Sequence, residues 1–361
     1  MTDNRLMIGA DIRKDALKLS CCQMNQKEMT NENYLAEEEL SKDVILSKIL
    51  DFLQRQEKPE KQNISVVFSC EDALVPMVKS VEKNLKEQGF EKENLHIISE
   101  ENAFIHYVLN QEETIREYTV YLFDFDGHDL YSYRMAHSKK KTPLYFKAEK
   151  TLVGSFDLTG DSLEWGRIFD DKFAKLLKQL LSKEVVSAVY LTGEGFEGDW
   201  LKKSLKVLCE GRRAFLGQNL FSAGACYYAS EASNRSAREY MIQAPETVLY
   251  DCGVLDGANK DDFVPITRAG NAWYETKGSV DVILERPGKV DVVFVNTLNK
   301  EKQVESVDVS DLSKRPKKIG RLHVEVEFFD HKSGVISVCD KGFGQFLPAT
   351  HQVFLKEFTL I

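Results

Sequence analysis

The chain has 361 residues, of which 43% are hydrophobic and 10% aromatic, and its formal net charge is −9. This length predicts two or three domains with real hydrophobic cores. The acidic balance argues against nucleic acid or an anionic membrane as the main partner. No stretch approaches the roughly 20 apolar residues of a transmembrane helix, and the first residues lack the apolar core of a signal peptide. We therefore expect a cytoplasmic protein without membrane insertion.

The seven cysteines are scattered and lie mostly inside apolar runs, where a free thiol behaves as a small hydrophobic side chain. There is no CxxC pair, and no histidine stands at metal-ligand spacing from a cysteine, so neither a structural zinc site nor a disulfide framework is predicted. Cys21 and Cys22 are neighbours in a predicted strand. Since consecutive strand residues point to opposite faces, we do not expect them to form a redox pair.

The first 115 residues are predicted to form one α/β lobe. Two strands joined by a polar turn come first, and a polar, helix-prone stretch leads into an amphipathic helix. The continuous apolar run Ile64–Phe68 is typical of a strand buried on both faces. The next helix should end at Gly89, because glycine accepts the left-handed conformation found after a helix C-terminus. The predicted elements are strands within 5–24, a helix over 40–53, a strand over 64–68, a helix over 75–88, a strand over 95–98 and a helix over 101–109.

Residues 116–243 are predicted to repeat this order as a second lobe. The predicted elements are strands over 118–125, 130–136 and 144–152, a helix over 161–181, a strand over 185–191, a helix through 200–208 and a last helix over 221–229. A strand hairpin followed by alternating helices and strands, present twice, indicates two related α/β lobes. The first strand of each lobe carries an aspartate, Asp11 in one and Asp124 in the other.

From Thr247 onward the apolar runs are short and alternate with polar residues, as in Val280–Leu284 and Leu322–Phe328. Glycine and proline separate these runs. The pattern is typical of antiparallel strands with one buried face. It predicts a β-sandwich domain over 244–361, after an α/β domain over 1–243.

Several motifs in this order resemble the DnaK-type heat-shock chaperones, which belong to the actin and sugar-kinase ATPase superfamily. The segments that carry the likeness are Ile8–Asp11 and Leu122–Gly127 (first and second phosphate strands), His96–Ala103 (connecting segment), Val189–Gly195 (adenosine turn), Ser222–Ala229 (closing helix) and 321–328 with 334–344 (substrate-binding β-sandwich). In the closing helix, small residues let the two lobes pack closely. The resemblance covers almost the whole chain.

The resemblance implies an actin-like α/β fold of two lobes around a nucleotide cleft, followed by a β-sandwich like a chaperone substrate-binding domain. It also implies ATP and magnesium as cofactors. The matching carboxylates hold magnesium-bound waters in the family, and the matching glycines belong to the second phosphate turn and the adenosine turn. The cofactor-binding residues implied in this way are Asp11, Glu100, Asp124, Gly127, Gly193 and Gly195.

Two departures weaken the implied nucleotide binding. The family's phosphate turns are rich in glycine and threonine, whose N–H groups and hydroxyls bind phosphate, whereas here they read Ile12–Asp15 and Asp126–Asp129. A carboxylate 4 Å from a phosphate charge costs about 4 kcal/mol at an effective dielectric constant of about 20. The segments 12–63 and 153–184 are also too short to hold the family's outer lobes, so most of the outer subdomains should be missing.

The sequence therefore predicts a pseudo-ATPase, a non-catalytic chaperone-ATPase-like protein that serves as a binding or scaffold module for a protein partner. A weak magnesium-dependent ATP-binding or ATP-hydrolysing switch and an actin-like assembling protein are the alternatives. Arg13 and Lys14 suit either a phosphate or the neighbouring aspartates. Asp124–Asp129 partly resembles a calcium-binding loop but lacks its later ligands, and His128 is expected to be an exposed turn residue.

Overall fold

The computed structural model describes residues 5–23, 28–56, 60–138, 144–156, 162–233, 240–255, 263–283, 288–314, 320–345 and 348–361. The chain folds into two compact units, Met1–Ala244 and Pro245–Ile361. Within the described ranges, no helix is long and apolar enough to cross a membrane.

The N-terminal unit contains two mixed sheets, and the first has the strand order β3-β2-β1-β4-β5. Its elements are β1 (Leu6–Ile12), β2 (Ala16–Gln23), β3 (Thr30–Leu35), α1 (Lys42–Arg55), β4 (Ile64–Cys70), α2 (Val75–Glu87), β5 (Leu95–Ile98) and α3 (Glu100–Leu109). Strands β1 and β2 form an antiparallel hairpin, whereas β4 runs parallel to β1. Every residue of β1 and β4 is buried, which explains why both strands have few polar residues.

The second sheet of this unit has the order β10-β9-β6-β7-β8-β11. Its elements are β6 (Thr119–Phe125), β7 (Asp129–His137), β8 (Leu144–Ser155), α4 (Ser162–Leu181), β9 (Val186–Thr192), α5 (Lys203–Leu208), β10 (Arg213–Leu216), α6 (Leu220–Ser233) and β11 (Tyr240–Gln243). The run β8-β7-β6-β9-β10 repeats the order of the first sheet, with an antiparallel hairpin β6–β7 and a parallel neighbour β9. The two sheets of the unit therefore share one strand order, which is the arrangement expected of two related α/β lobes.

Helix α6 comes from the second lobe but packs against β1 of the first lobe and against α3. Two glycines make this packing possible. A Cβ atom at Gly9 would lie 1.8 Å from the backbone oxygen of Ser222, and one at Gly224 would lie 1.9 Å from the backbone oxygen of Ala103. The small residues of α6 therefore allow the close approach that was predicted for them.

The C-terminal unit consists of two four-stranded antiparallel sheets, ordered β13-β12-β15-β16 and β14-β17-β18-β19. Its strands are β12 (Tyr250–Leu255), β13 (Phe263–Thr267), β14 (Lys277–Ile283), β15 (Lys289–Asn296), β16 (Lys302–Asp308), β17 (Arg321–Phe328), β18 (Ser333–Asp340) and β19 (Val353–Thr359). Inward-facing residues of both sheets share one core, in which the ring of Phe294 lies 4.5 Å from that of Phe358. The predicted antiparallel, alternating character is confirmed.

Some predicted boundaries are wrong. The polar stretch predicted as helix-prone contains the strand β3, the helix predicted through Trp200 begins only at Lys203, and β10 and β11 were not predicted. Strands β3 and β10 are largely exposed. Most residues of β3 are polar, and the apolar run of β10 is shorter than the roughly four to eight residues that mark a buried strand. Between β3 and β4, and between β8 and β9, the described residues contain one α-helix each and no outer lobe.

Candidate functional site

Three buried carboxylates meet in the N-terminal unit, on elements from both lobes. Asp11 is near the end of β1, and Asp124 is near the end of β6, the corresponding strand of the second lobe. Glu100 is the first residue of α3, directly after the N-cap Ser99. Asp11, Asp124 and Glu100 are 1%, 3% and 3% exposed. The negative charge of Glu100 acts to raise the pKa of both aspartates. The carboxylates that were predicted as candidates are thus brought together.

The side chain of Arg13 lies between the two aspartates. Its Nε is 3.3 Å from Oδ2 of Asp11, and its Nη2 is 2.8 Å from Oδ2 of Asp124. The guanidinium also lies over the ring of Phe221 on α6, 5.4 Å from the ring centroid, where a cation–π attraction adds to the ion pairs. Of the two roles considered for Arg13, pairing with phosphate or with the aspartates, the structure adopts the second.

Glu100 has its own cationic partner from the second lobe. Its Oε2 accepts hydrogen bonds from Nζ of Lys150, at 2.7 Å, and from the hydroxyl of Tyr133, at 2.6 Å. Lys150 is also paired with Glu71. Lys150 and Tyr133 were not among the predicted site residues. The sequence contains no local signal for them, because each is far from Glu100 along the chain and only the sheet of the second lobe brings them near.

Burial and charge shift the pKa values of these groups in different directions. The pKa of Asp11 is raised to about 6, mainly by burial, while Arg13 opposes the rise and Glu100 adds to it. Burial likewise raises the pKa of Asp124 against the opposing charge of Arg13. For Glu100 the charges of Arg13 and Lys150 outweigh burial, so its pKa is lowered. One guanidinium is shared by two aspartates, which leaves this pair short of positive charge.

The donor set around the aspartates can be compared with the needs of a magnesium ion. Oδ1 of Asp11 and Oδ1 of Asp124 are buried and have no hydrogen-bond partner among the described residues. Magnesium requires near-octahedral oxygen ligands at about 2.0–2.1 Å, and an ion bridging the Oδ2 atoms would have to displace Arg13. No group of three or more His, Cys, Asp and Glu residues in the described ranges is arranged to hold a metal. The site fits an internal guanidinium and does not fit a bridging magnesium ion.

In the turn between β6 and β7, two backbone N–H groups are hydrogen-bonded to a side chain of the turn itself. Oδ1 of Asp126 accepts hydrogen bonds from the backbone nitrogens of His128 and Asp129, both at 2.7 Å. Gly127 adopts a φ of +100° inside this turn, a conformation that favours glycine. Asp126 therefore closes the turn as an Asx motif. Asp124 does not take part in the turn and is paired with Arg13 instead. The partial likeness to a calcium-binding loop does not produce a shared set of ligands.

The turn after β9 approaches β6 closely. Gly193 has a φ of +98°, and a Cβ atom there would lie 2.2 Å from the backbone oxygen of Phe125 and 2.8 Å from Oδ1 of Asp124. A Cβ atom at Gly195 would lie 2.2 Å from Cδ1 of Phe125. The ring of Phe125 stacks at 4.7 Å on that of Phe169 and belongs to the buried core. Both glycines are thus explained by close packing on the strand that carries Asp124.

Comparison with protein families matches both units to models without a known function. The model described as "Family of unknown function (DUF5716) C-terminal" matches residues 12–244, which is well over half of the chain. The model described as "Domain of unknown function (DUF8552)" matches residues 254–360. No curated protein matches the chain.

Solved structures overlap with the chain only loosely. The inorganic polyphosphate/ATP-glucomannokinase of Arthrobacter sp. strain KM is 11% identical, with a TM-score of 0.39 over 64% of this chain and 100% of that one. Component A of the (R)-2-hydroxyglutaryl-CoA dehydratase of Acidaminococcus fermentans is also 11% identical, with a TM-score of 0.40 over 63% and 99%. Such overlaps assign neither fold nor function, and the chaperone resemblance stays a prediction from the sequence motifs.

Proposed function

This chain belongs to the DUF5716 family of unknown function, whose C-terminal model matches residues 12–244, and we propose that it is a non-catalytic relative of the actin-like ATPases that acts as a protein-binding or scaffold module. The observation that carries the proposal is the position of Arg13, whose guanidinium pairs with both Asp11 and Asp124. In the family that the motifs resemble, the matching carboxylates face magnesium-bound water. Here an arginine of the same chain supplies the positive charge.

The remaining contacts support the same interpretation. Glu100 is held by Lys150, so each of the three carboxylates has a cationic partner from the chain itself. The N–H groups of His128 and Asp129, in the turn that matches the second phosphate turn, are bonded to Asp126. A phosphate at this turn would have to compete with a carboxylate that is covalently part of the turn. The repeated sheet order supports the actin-like fold. The comparison of this turn with the phosphate turn of the chaperone family depends on that fold.

The partner is proposed to be a protein. The net charge of −9 does not favour nucleic acid, and the resemblance to chaperones gives the antiparallel C-terminal unit as the expected contact surface. That choice of surface rests on the resemblance alone. The scaffold role likewise rests on the resemblance to the chaperone family.

Thermal unfolding with and without millimolar ATP and magnesium tests the proposal. A ligand present at 100 times its dissociation constant would stabilise the folded state by about 2.7 kcal/mol. We expect the unfolding temperature to remain unchanged, because Arg13 and Asp126 already occupy the charges and donors that a nucleotide needs. A clear increase that is absent in Asp124→Asn would contradict the proposal.

One observation favours the alternative of a weak, magnesium-dependent ATP-binding switch. The free Oδ1 atoms of Asp11 and Asp124 are buried acceptors, and buried acceptors normally have a donor or a cation. If Arg13 moved aside, these oxygens would become ligands. This alternative predicts ATP turnover or nucleotide binding that Asp124→Asn removes, and equal behaviour of the variant and the parent would exclude it.

A further inference from the structure

Two buried thiols meet where the first lobe contacts helix α6. Sγ of Cys22, near the end of β2, lies 2.9 Å from Sγ of Cys226 on α6. Both residues are free cysteines, and neither belongs to the carboxylate cluster. A disulfide bond has an S–S distance of about 2.0 Å, so bond formation requires an approach of only about 0.9 Å from the observed separation.

A second contact, one helical turn away, fixes the alignment of the two thiols. Oγ of Ser20 on β2 lies 2.7 Å from Oγ of Ser222 on α6. Ser20 and Cys22 share one face of their strand because side chains alternate, and Ser222 and Cys226, four residues apart, share one face of their helix. The close approach of the thiols therefore follows from the packing of one strand face on one helix face.

The surroundings of Cys226 hold it against the first sheet. A Cβ atom at Gly9 would lie 2.6 Å from the backbone nitrogen of Cys226, so the glycine allows α6 to approach β1 at this point. The thiol of Cys226 also donates a hydrogen bond to the carbonyl oxygen of Met7, at 3.2 Å. Cys21, the other cysteine of β2, points to the opposite face of the strand. Of the two neighbours, only Cys22 is therefore directed at α6.

The two thiols differ in access and in acidity. Cys22 is 7% exposed and Cys226 is 0% exposed, so a reagent from solvent meets Cys22 first and has to be small. The hydrogen bond with Cys226 lowers the pKa of Cys22, whereas burial raises the pKa of Cys226 well above its ordinary value. Since the thiolate is the nucleophilic form, Cys22 is the thiol that reacts first and Cys226 is the thiol that resolves the product.

We propose that Cys22 and Cys226 form a reversible disulfide bond when the protein is exposed to hydrogen peroxide. The thiolate of Cys22 attacks one peroxide oxygen, so that an S–O bond forms, the O–O bond breaks and hydroxide leaves. The sulfur of Cys226 then attacks the sulfur of this sulfenic acid. The S–S bond forms, the S–O bond breaks, and the hydroxide leaves with the thiol proton as water. In sum, two thiols lose two electrons and two protons, and the peroxide is reduced to two water molecules.

The bond has two consequences for the N-terminal unit. The two cysteines are 204 residues apart along the chain, and a cross-link that closes a long loop restricts the unfolded chain strongly. The unfolding temperature should therefore rise on oxidation. Helix α6 already packs against β1 and α3, so a bond to β2 fixes this helix of the second lobe covalently to the first. The proposal does not depend on whether the carboxylate cluster binds nucleotide or metal.

Peptide mapping of the full chain tests the proposal. The reduced protein is treated with a small excess of hydrogen peroxide, denatured, alkylated with iodoacetamide and digested without reduction. We expect mass spectrometry to identify a linked pair of peptides that contain Cys22 and Cys226, a joint loss of alkylation at both residues, and reversal by dithiothreitol. The unfolding temperature should rise by several degrees on oxidation. Oxidation of the exposed Cys209 while Cys22 and Cys226 remain alkylated would overturn the proposal, as would pairing of either thiol with another cysteine.

Single variants separate the roles of the two thiols. Cys22→Ser and Cys226→Ser each introduce a hydroxyl, which suits a contact like that of Ser20 with Ser222, and each should lose both the linked peptides and the rise in unfolding temperature. In Cys226→Ser, peroxide should leave Cys22 as a sulfenic acid that dimedone labels, whereas Cys22→Ser should show no label at Cys226. Cys21→Ser changes the neighbouring thiol on the other strand face and is the matched control, with oxidation as in the parent.

Two results with these variants would overturn the assignment. One is a rise in unfolding temperature on oxidation that survives in both Cys22→Ser and Cys226→Ser. The other is dimedone labelling of Cys226 in Cys22→Ser that equals the labelling of Cys22 in Cys226→Ser. If a variant does not fold, the peptide map of the parent decides whether the disulfide bond forms.

Discussion

Replacing Arg13 by alanine should lower the free energy of unfolding by about 3–5 kcal/mol, because the change removes the cation shared by two buried carboxylates. In the parent, Arg13 lies within 3.3 Å of Asp11 and 2.8 Å of Asp124. Without it, both aspartates lose their direct cationic contact and keep only the more distant charge of Lys18 against that of Glu100. Chemical denaturation measures the loss, and Lys14→Ala, which changes the exposed neighbouring cation, should have little effect.

The pH dependence of this loss gives a second test. The folded-state pKa of Asp11 is about 6, above its unfolded value of about 4, so its protonated form favours folding and this contribution is lost as pH rises through about 6. Without Arg13, which holds this pKa down, the folded pKa rises further. The loss of unfolding free energy in Arg13→Ala should therefore grow from pH 5 to pH 8. It should shrink when Asp124→Asn is added to the variant. A deficit that is constant over this range would show that the guanidinium contributes packing but not charge.

Substitution of Gly9 or Gly224 by alanine should destabilise the N-terminal unit by about 3 kcal/mol or more, at the upper end of overpacking effects. The new Cβ atom would lie 1.8 Å from the backbone oxygen of Ser222 in the first case and 1.9 Å from that of Ala103 in the second. Backbone atoms cannot rotate away as a side chain can. Relief therefore requires α6 to move away from β1 or from α3.

Gly217→Ala is the matched control for these two variants. Gly217 lies between β10 and α6, but a Cβ atom there meets nothing within 4 Å. Replacing glycine by alanine in an unstrained position stabilises by about 0.4–1 kcal/mol through the unfolded state. Thermal unfolding of the three variants distinguishes the expected destabilisation at Gly9 and Gly224 from the expected gain at Gly217. Near-parental stability of Gly9→Ala and Gly224→Ala would mean that the lobes do not approach as closely as described.

The sequence predicts the central strands and the order of the elements well because these depend on local patterns. The apolar runs of β1, β4 and β6 correspond to strands that are buried throughout, and Gly89 has the positive φ expected after a helix. The edge strands β3 and β10 were missed, since exposed strands need no apolar pattern. Their positions are decided by pairing with neighbours that the local sequence does not show.

The candidate site was predicted only in part. The motifs named Asp11, Glu100 and Asp124, which the fold brings near one another, but they left the role of Arg13 open between phosphate and aspartate. The contact of Lys150 with Glu100 depends on the register of β8 beside β7, which no local pattern specifies.

Binding of Mn²⁺, followed by the loss of its free-ion electron paramagnetic resonance signal, tests most directly whether Arg13 takes the place of a metal. With equimolar Mn²⁺ and the parent protein, the signal should remain at the level of buffer alone, because the guanidinium already bridges Asp11 and Asp124. Stoichiometric loss of the signal that Asp124→Asn restores would show that a cation enters between the aspartates. That result would contradict the proposed pseudo-ATPase.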